Sequence, residues 1–105
     1  MNKSKGGYYI GIDSGGTKCE LVISDPDKKI IFQKKYKGIH YSVAGAEEYC
    51  KIVSGYINHA AAKCRLDLKN CKGICFGIAG ARERKDRNRL RNLFLRKLKV
   101  KNIII

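Results

Sequence analysis

Nowhere does the 105-residue chain approach the roughly 18 to 20 consecutive apolar residues a membrane helix requires, and Met1–Gly7 runs into the first strand without a signal-peptide core. No membrane-spanning helix is expected, and the expected compartment is the cytoplasm. None of the five cysteines forms a C-x-x-C pair; the closest spacing is Cys71-x3-Cys75, and five is an odd number. Neither a zinc site nor a disulfide framework is indicated. Cys71 and Cys75 are expected to be buried free thiols in a reducing compartment. The chain also lacks a G-x4-G-K-[ST] loop leading into a helix, a G-x-G-x-x-G fingerprint, internal repeats and low-complexity segments. Carboxylates are scarce, nine against 23 lysines and arginines, and from Leu68 to Ile105 only Glu83 and Asp86 occur. A nuclease would want further acids near Asp13 to hold two metals.

What is present points to a packed unit. Apolar residues make up 44% of the chain and nine residues are aromatic, too many for a disordered tail. The length allows one domain with a modest core and excludes a two-domain enzyme. The formal net charge of +14 makes attraction to polyanions a competing hypothesis. Its excess lies between Arg82 and Lys101, where ten basic residues face two acids. No aromatic residue alternates with these charges to stack bases, so the segment reads as a solvated face, and nucleic acid is not the expected partner.

Along the chain, Tyr8 to Asp13 is β-branched or aromatic and stops at Ser14-Gly15-Gly16, a strand entering a tight turn. Lys18 to Ser24 resumes at once, predicting an antiparallel hairpin. Asp25-Pro26-Asp27-Lys28 predicts a further turn, because Pro26 fixes φ and the aspartates can accept nearby backbone N–H groups. A third strand spans Lys29 to Lys37, and Gly38 to Gly45 reads as a loop. Ala46 to Cys64 places Tyr49, Ile52, Val53, Tyr56, Ile57, Ala60 and Cys64 at helical spacing. Within it Gly55 weakens the helix, with a close approach to the sheet as its expected reason. Leu66 to Lys72 is a connection, Gly73 to Ala79 a short buried strand, and a second helix begins near Asp86 with Leu90, Leu93, Phe94 and Leu98 on one face. Val100 to Ile105 is strand-like. The predicted fold is α/β: a mixed five-stranded sheet of ribonuclease-H-like order, three antiparallel strands, then helix, strand, helix, strand.

The hairpin turn Ser14-Gly15-Gly16-Thr17 presents backbone N–H groups with no Cβ on its glycines, which makes an anion nest. Asp13 at the strand end is placed to hold Mg²⁺, and Thr17 and Lys18 to contact phosphate oxygens. A glycine turn alone can equally do no more than close a hairpin. His40 and His59 have no partner at metal-ligand spacing and read as a loop and a helix-surface histidine.

Taken whole, the string Ile10-Gly11-Ile12-Asp13-Ser14-Gly15-Gly16-Thr17-Lys18, followed by Cys19-Glu20-Leu21-Val22, resembles the first phosphate motif of the sugar-kinase, Hsp70 and actin superfamily. It is most similar to the BadF/BadG/BcrA/BcrD ATPase family, which includes N-acetylglucosamine kinases and opens with D-G-G-G-T-K or a near variant. Gly38 to Gly45 resembles that family's substrate-side loop, and Phe76-Gly77-Ile78-Ala79-Gly80-Ala81 its G-[LI]-[AS]-G-A element.

The resemblance implies an actin-like ATPase fold and an ATP-dependent kinase or ATPase of which residues 1–105 form the N-terminal part, its C-terminal domain absent and this piece inactive alone. It assigns Gly15, Gly16, Thr17 and Lys18 to the phosphates of ATP, Asp13 to Mg²⁺, and Gly38, His40, Ser42 and Gly80 to a small-molecule acceptor, an amino sugar. His40 and Ser42 stand where those kinases usually carry a sugar-binding asparagine. The catalytic aspartate is expected beyond Ile105, and the complete protein is a candidate homodimer. Activating ATPases of acyl-CoA reduction and dehydration are an alternative within the superfamily, although their iron–sulfur cysteines have no counterpart here. Outside it, the alternatives are a small basic nucleic-acid-binding protein on the same sheet and an interaction module pairing through its fifth strand.

Overall fold

A computed structural model describes residues 7–105; the reading of Met1–Gly7 falls outside it for the first six positions. Five strands form one sheet: β1 (Tyr8–Ser14), β2 (Lys18–Ser24), β3 (Ile30–Lys37), β4 (Cys71–Ile78) and β5 (Ile103–Ile104). Their order across the sheet is β3-β2-β1-β4-β5. β1 pairs antiparallel with β2 and β2 with β3, while β4 runs parallel to β1 and β5 to β4. This is the mixed sheet expected from the element order, with helical connections between the parallel strands.

Period-two alternation decides which face is covered. On β1, Tyr8, Ile10, Ile12 and Ser14 are buried, whereas Tyr9 and Asp13 are exposed. Cys19, Leu21 and Ile23 of β2 and Ile74 and Phe76 of β4 join the buried set. Two helices lie over that face. α2 (Ala46–Lys63) contributes Tyr49, Cys50, Val53, Ile57 and Ala60, and α3 (Arg84–Leu98) contributes Leu90, Phe94 and Leu98. Phe94 stacks on Phe76 with centroids 4.3 Å apart and meets Tyr49 edge-on at 6.3 Å, which ties both helices to β4. β3 forms an edge and carries exposed Lys34, Lys35 and Lys37, charges that oppose pairing with another chain.

Among the described residues the other face of the sheet is uncovered, and this corrects two expectations. β4 is not buried on both sides, because Ile74, Phe76 and the half-buried Ile78 face the helices while Cys75 and Gly77 are exposed. Cys75 on the opposite side is exposed and Cys71 half-buried, so they are not a pair of buried thiols; Cys19 and Cys50 are.

Three local corrections follow from hydrogen bonding and open space. Gly38 to Gly45 is not all loop: the amide of Ala44 bonds to the His40 carbonyl and that of Gly45 to the Tyr41 carbonyl, closing a one-turn helix α1 (Tyr41–Ala44). Gly45, at φ 90, turns the chain from α1 into α2, a conformation glycine takes without strain. Between α2 and β4 a 3-10 turn spans Leu68–Asn70, started by the Asp67 carboxylate accepting from the Lys69 amide at 2.9 Å. Gly55 does not approach the sheet; it is exposed, and a Cβ there would meet nothing within 4 Å. The Asp25 turn forms as expected, with Asp25 Oδ1 accepting from the amides of Asp27 and Lys29, each at 2.9 Å.

Candidate functional site

The site is built at the end of the sheet where β1 and β4 finish and the β1–β2 hairpin turns over. The Gly15 amide donates to the Lys18 carbonyl at 2.9 Å, closing the turn around Gly16 and Thr17. Within the described residues the N–H groups of Gly16 and Thr17 make no hydrogen bond, and Gly16, Thr17 and Lys18 are exposed. Unpaired amides of exposed residues beside a lysine suit an anion.

The segment after β3 docks on this turn, and the last rung of the β1–β4 ladder ends beside it. The Ile39 amide donates to the Gly15 carbonyl at 3.0 Å, and the Ala79 amide donates to the Ser14 carbonyl at 3.0 Å. Gly38 lies so close to the backbone of Gly16 and Thr17 that a Cβ would overlap it. Gly16 in turn faces the His40 imidazole, which fills the place its side chain would take. Two glycines therefore act through close approach of chain to chain rather than through unusual dihedrals.

Gly80 completes the ring. It sits at φ 91 just past β4, and a Cβ there would lie 3.8 Å from the Tyr41 ring. Tyr41 meets Tyr49 edge-on at 6.0 Å, and its phenol pKa is pushed up by desolvation and then by the Asp86 carboxylate. The Arg87 guanidinium donates to the carbonyls of Ala81 and Arg82, fixing the segment between β4 and α3. Ser42 is exposed on α1, with no hydrogen bond to the turn among the described residues. Gly15, Gly16, Thr17, Lys18, Gly38 and His40 are thus brought together directly, Gly80 through Tyr41, and Ser42 is placed on the rim.

Asp13 points to the open face, opposite Glu20 on β2 and beside Gly77 on β4. A shallow cavity of about 360 Å³ is lined by Asp13, Glu20, Gln33, Cys75 and Gly77. Gln33 Nε2 donates to Glu20 Oε2 at 2.9 Å, which turns that carboxylate along the sheet. Asp13 and Glu20 carry no sequence mark of facing each other, although closing the hairpin at Gly15 and Lys18 fixes it by register. His59 is exposed on α2, as read, and its Nδ1 pairs with the Tyr36 hydroxyl at 2.8 Å.

The profile of the BadF/BadG/BcrA/BcrD ATPase family matches residues 10–102, which takes in the hairpin turn, the α1 segment and the Gly80 loop. The chain belongs to that family. An N-acetylmuramic acid/N-acetylglucosamine kinase of Clostridium acetobutylicum is 31% identical over 81 residues, 77% of this chain and 26% of the relative. The chain thus spans about a quarter of that kinase's length. A Chromobacterium violaceum protein designated an N-acetylglucosamine kinase superposes with a TM-score of 0.71 at 18% identity, over 93% of this chain and 34% of the other. YeaZ from Pseudomonas aeruginosa gives 0.58 at 10% identity, over 94% of this chain and 43% of YeaZ. A Bacteroides thetaiotaomicron protein with an actin-like ATPase fold gives 0.54 at 7% identity, over 94% of this chain and 33% of the other. The BadF-family sheet seen here is accordingly of actin-like ATPase type. Among the described residues no helix is long and apolar enough to cross a membrane.

Proposed function

We propose that this chain supplies the phosphate-binding part of an ATP-dependent sugar kinase of the BadF type, as the N-terminal part of a larger cytoplasmic enzyme. The observation that supports this most is the seating of the Gly38–Ile39 segment on the turn: the Ile39 amide donates to the Gly15 carbonyl, and a Cβ at Gly38 would overlap the backbone of Gly16 and Thr17. A hairpin that merely closed two strands would need neither.

In this reading Gly15 and Gly16 let phosphate oxygens approach the turn, the amides of Gly16 and Thr17 donate to them, and Lys18 balances their charge. The exposed Asp13 carboxylate, beside a Gly77 that adds no bulk, fits a hydrated Mg²⁺. Such an ion, when bound, neutralises charge shared by the β and γ phosphates. Gly38, His40 and Ser42, with Gly80 across from Tyr41, line the acceptor side. An amino sugar is the acceptor we propose, on the strength of the relative named for N-acetylmuramic acid and N-acetylglucosamine. The base that takes its hydroxyl proton is an aspartate carried by the rest of the enzyme, and closure of the second domain would exclude water.

Asp13→Ala and Lys18→Ala in the complete enzyme test the assignment through Mg-ATP turnover. Each is expected to lower turnover by about 10²-fold or more, in line with removal of a group that stabilises transferring phosphate. Wild-type turnover in both would sink the reading.

A further inference from the structure

Ser14 departs from the glycine that opens related phosphate strings, and its side chain is put to use. It is only 3% exposed, and its Oγ accepts a hydrogen bond from the Tyr49 hydroxyl at 2.6 Å. Tyr49 is fully buried and lies on α2, 35 residues away. The same Ser14 offers its carbonyl to the Ala79 amide, and its neighbour Gly15 offers a carbonyl to Ile39. Tyr49 also meets Tyr41 of α1 and Phe94 of α3 edge-on, at 6.0 and 6.3 Å. One phenol therefore touches the phosphate turn, the acceptor-side helix and the helix that follows the Gly80 loop.

We propose that Tyr49 is a positioning residue: its hydroxyl, through Ser14, fixes the height of the Gly15–Lys18 turn against the Gly38 and Gly80 segments. This rests on the turn being the phosphate site proposed above. A buried hydroxyl pair costs little when both partners are present and much when one is orphaned, so the pair holds one arrangement of the turn. Burial pushes the Tyr49 phenol up, so it remains a neutral donor across the physiological range.

Hydrogen exchange of the chain tests the pin without nucleotide. In Tyr49→Phe the amides of Gly15 and Ala79 are expected to exchange about tenfold faster, the size of one lost buried hydrogen bond, while amides between β2 and β3 keep their rates. Ser14→Gly, which removes the acceptor instead, must give the same pattern. The double variant Ser14→Ala/Tyr49→Phe separates positioning from stability. With no orphaned hydroxyl its thermal midpoint should return toward wild type, whereas the fast exchange should persist, and in the complete enzyme KM for ATP should stay about tenfold raised at near-constant kcat. Unchanged exchange at Gly15 and Ala79 in the single variants would overturn the proposal. So would a double variant that recovers exchange and KM together with its melting point. If wild-type enzyme proved indifferent to Mg-ATP, the proposed function would fail while the exchange result would still decide the pin.

Discussion

The two faces of the sheet divide the work of this molecule. The face under α2 and α3 is mainly apolar, with Tyr8, Ile10, Leu21, Ile23, Ile74 and Phe76 packed on Tyr49, Val53, Ile57 and Phe94. The other face carries Asp13, Glu20, Gln33 and Cys75 around a shallow cavity and leaves Tyr9 43% exposed. Each strand contributes to both by alternation, so a substitution one residue along exchanges a folding effect for a chemical one. The candidate site lies where the faces meet, at the end of β1: Ser14 turns into the core and Asp13, one residue earlier, turns out to solvent.

The largest test of this division is Phe94→Ala against Tyr9→Ala. Phe94 is fully buried and stacks on Phe76, so its loss should cost about 3–5 kcal/mol and unfold much of a domain this small. Tyr9, half open to water, should cost no more than about 1 kcal/mol. Urea unfolding of the two variants decides it; equal losses would mean that the open face is covered in solution.

Next come the two glycines of the site. Gly38→Ala drives a Cβ into the backbone of Gly16 and Thr17, which cannot move without opening the turn, and should cost about 1–3 kcal/mol together with nucleotide binding. Gly16→Ala meets only the His40 side chain, which can rotate away, so the fold should be nearly unaffected. Thermal denaturation with calorimetric titration of Mg-ATP separates them, and a reversed order would contradict the packing described.

Thiols read the faces chemically. Burial pushes the Cys50 thiol up to about 12, with Lys97 and Arg89 pulling the other way, whereas Cys75 on the open face is exposed. A neutral-thiol reagent should label Cys75 in the native chain and Cys50 only after unfolding. The raised Cys50 value also has a sign. The folded state holds this proton more tightly than the unfolded one, so its stabilisation is complete below the ordinary thiol value of about 8.5 and is lost as pH climbs toward about 12. The buried phenols of Tyr8 and Tyr49, also shifted upward by desolvation, act in the same direction. Unfolding midpoints should therefore fall steadily above pH 9, and a midpoint flat to pH 12 would count against burial of these groups.

The sheet order was legible because long alternating strands and two helices with three-and-four spacing leave few ways to bury one apolar face. The β1–β2 hairpin was legible because Ser14-Gly15-Gly16 interrupts two β-forming runs, whereas its assignment to phosphate came from the family resemblance of the whole string. Three features had weaker signals. β4 carries Gly73, Cys75 and Gly77 between its core residues, small enough that the strand reads as apolar on both sides. α1 is a single turn, too short for periodicity to show. The Tyr49–Ser14 bond joins residues 35 apart, and neither carries any local mark of the other.

The smallest effect expected is at a position that belongs to neither face of the sheet. Gly55 lies on the outer side of α2, within the 18-residue helix and away from its ends, with open space where a side chain would stand. Glycine there gives up backbone entropy on folding and returns no packing, so Gly55→Ala should stabilise the chain by about 0.5–1 kcal/mol and leave nucleotide binding unchanged. Because nothing surrounds it, the gain can come only from the helix itself, which makes it a control for the other variants. A stabilised chain with altered nucleotide affinity would show that α2 transmits strain to the turn, and the separation between folding face and chemical face would have to be redrawn through Tyr49.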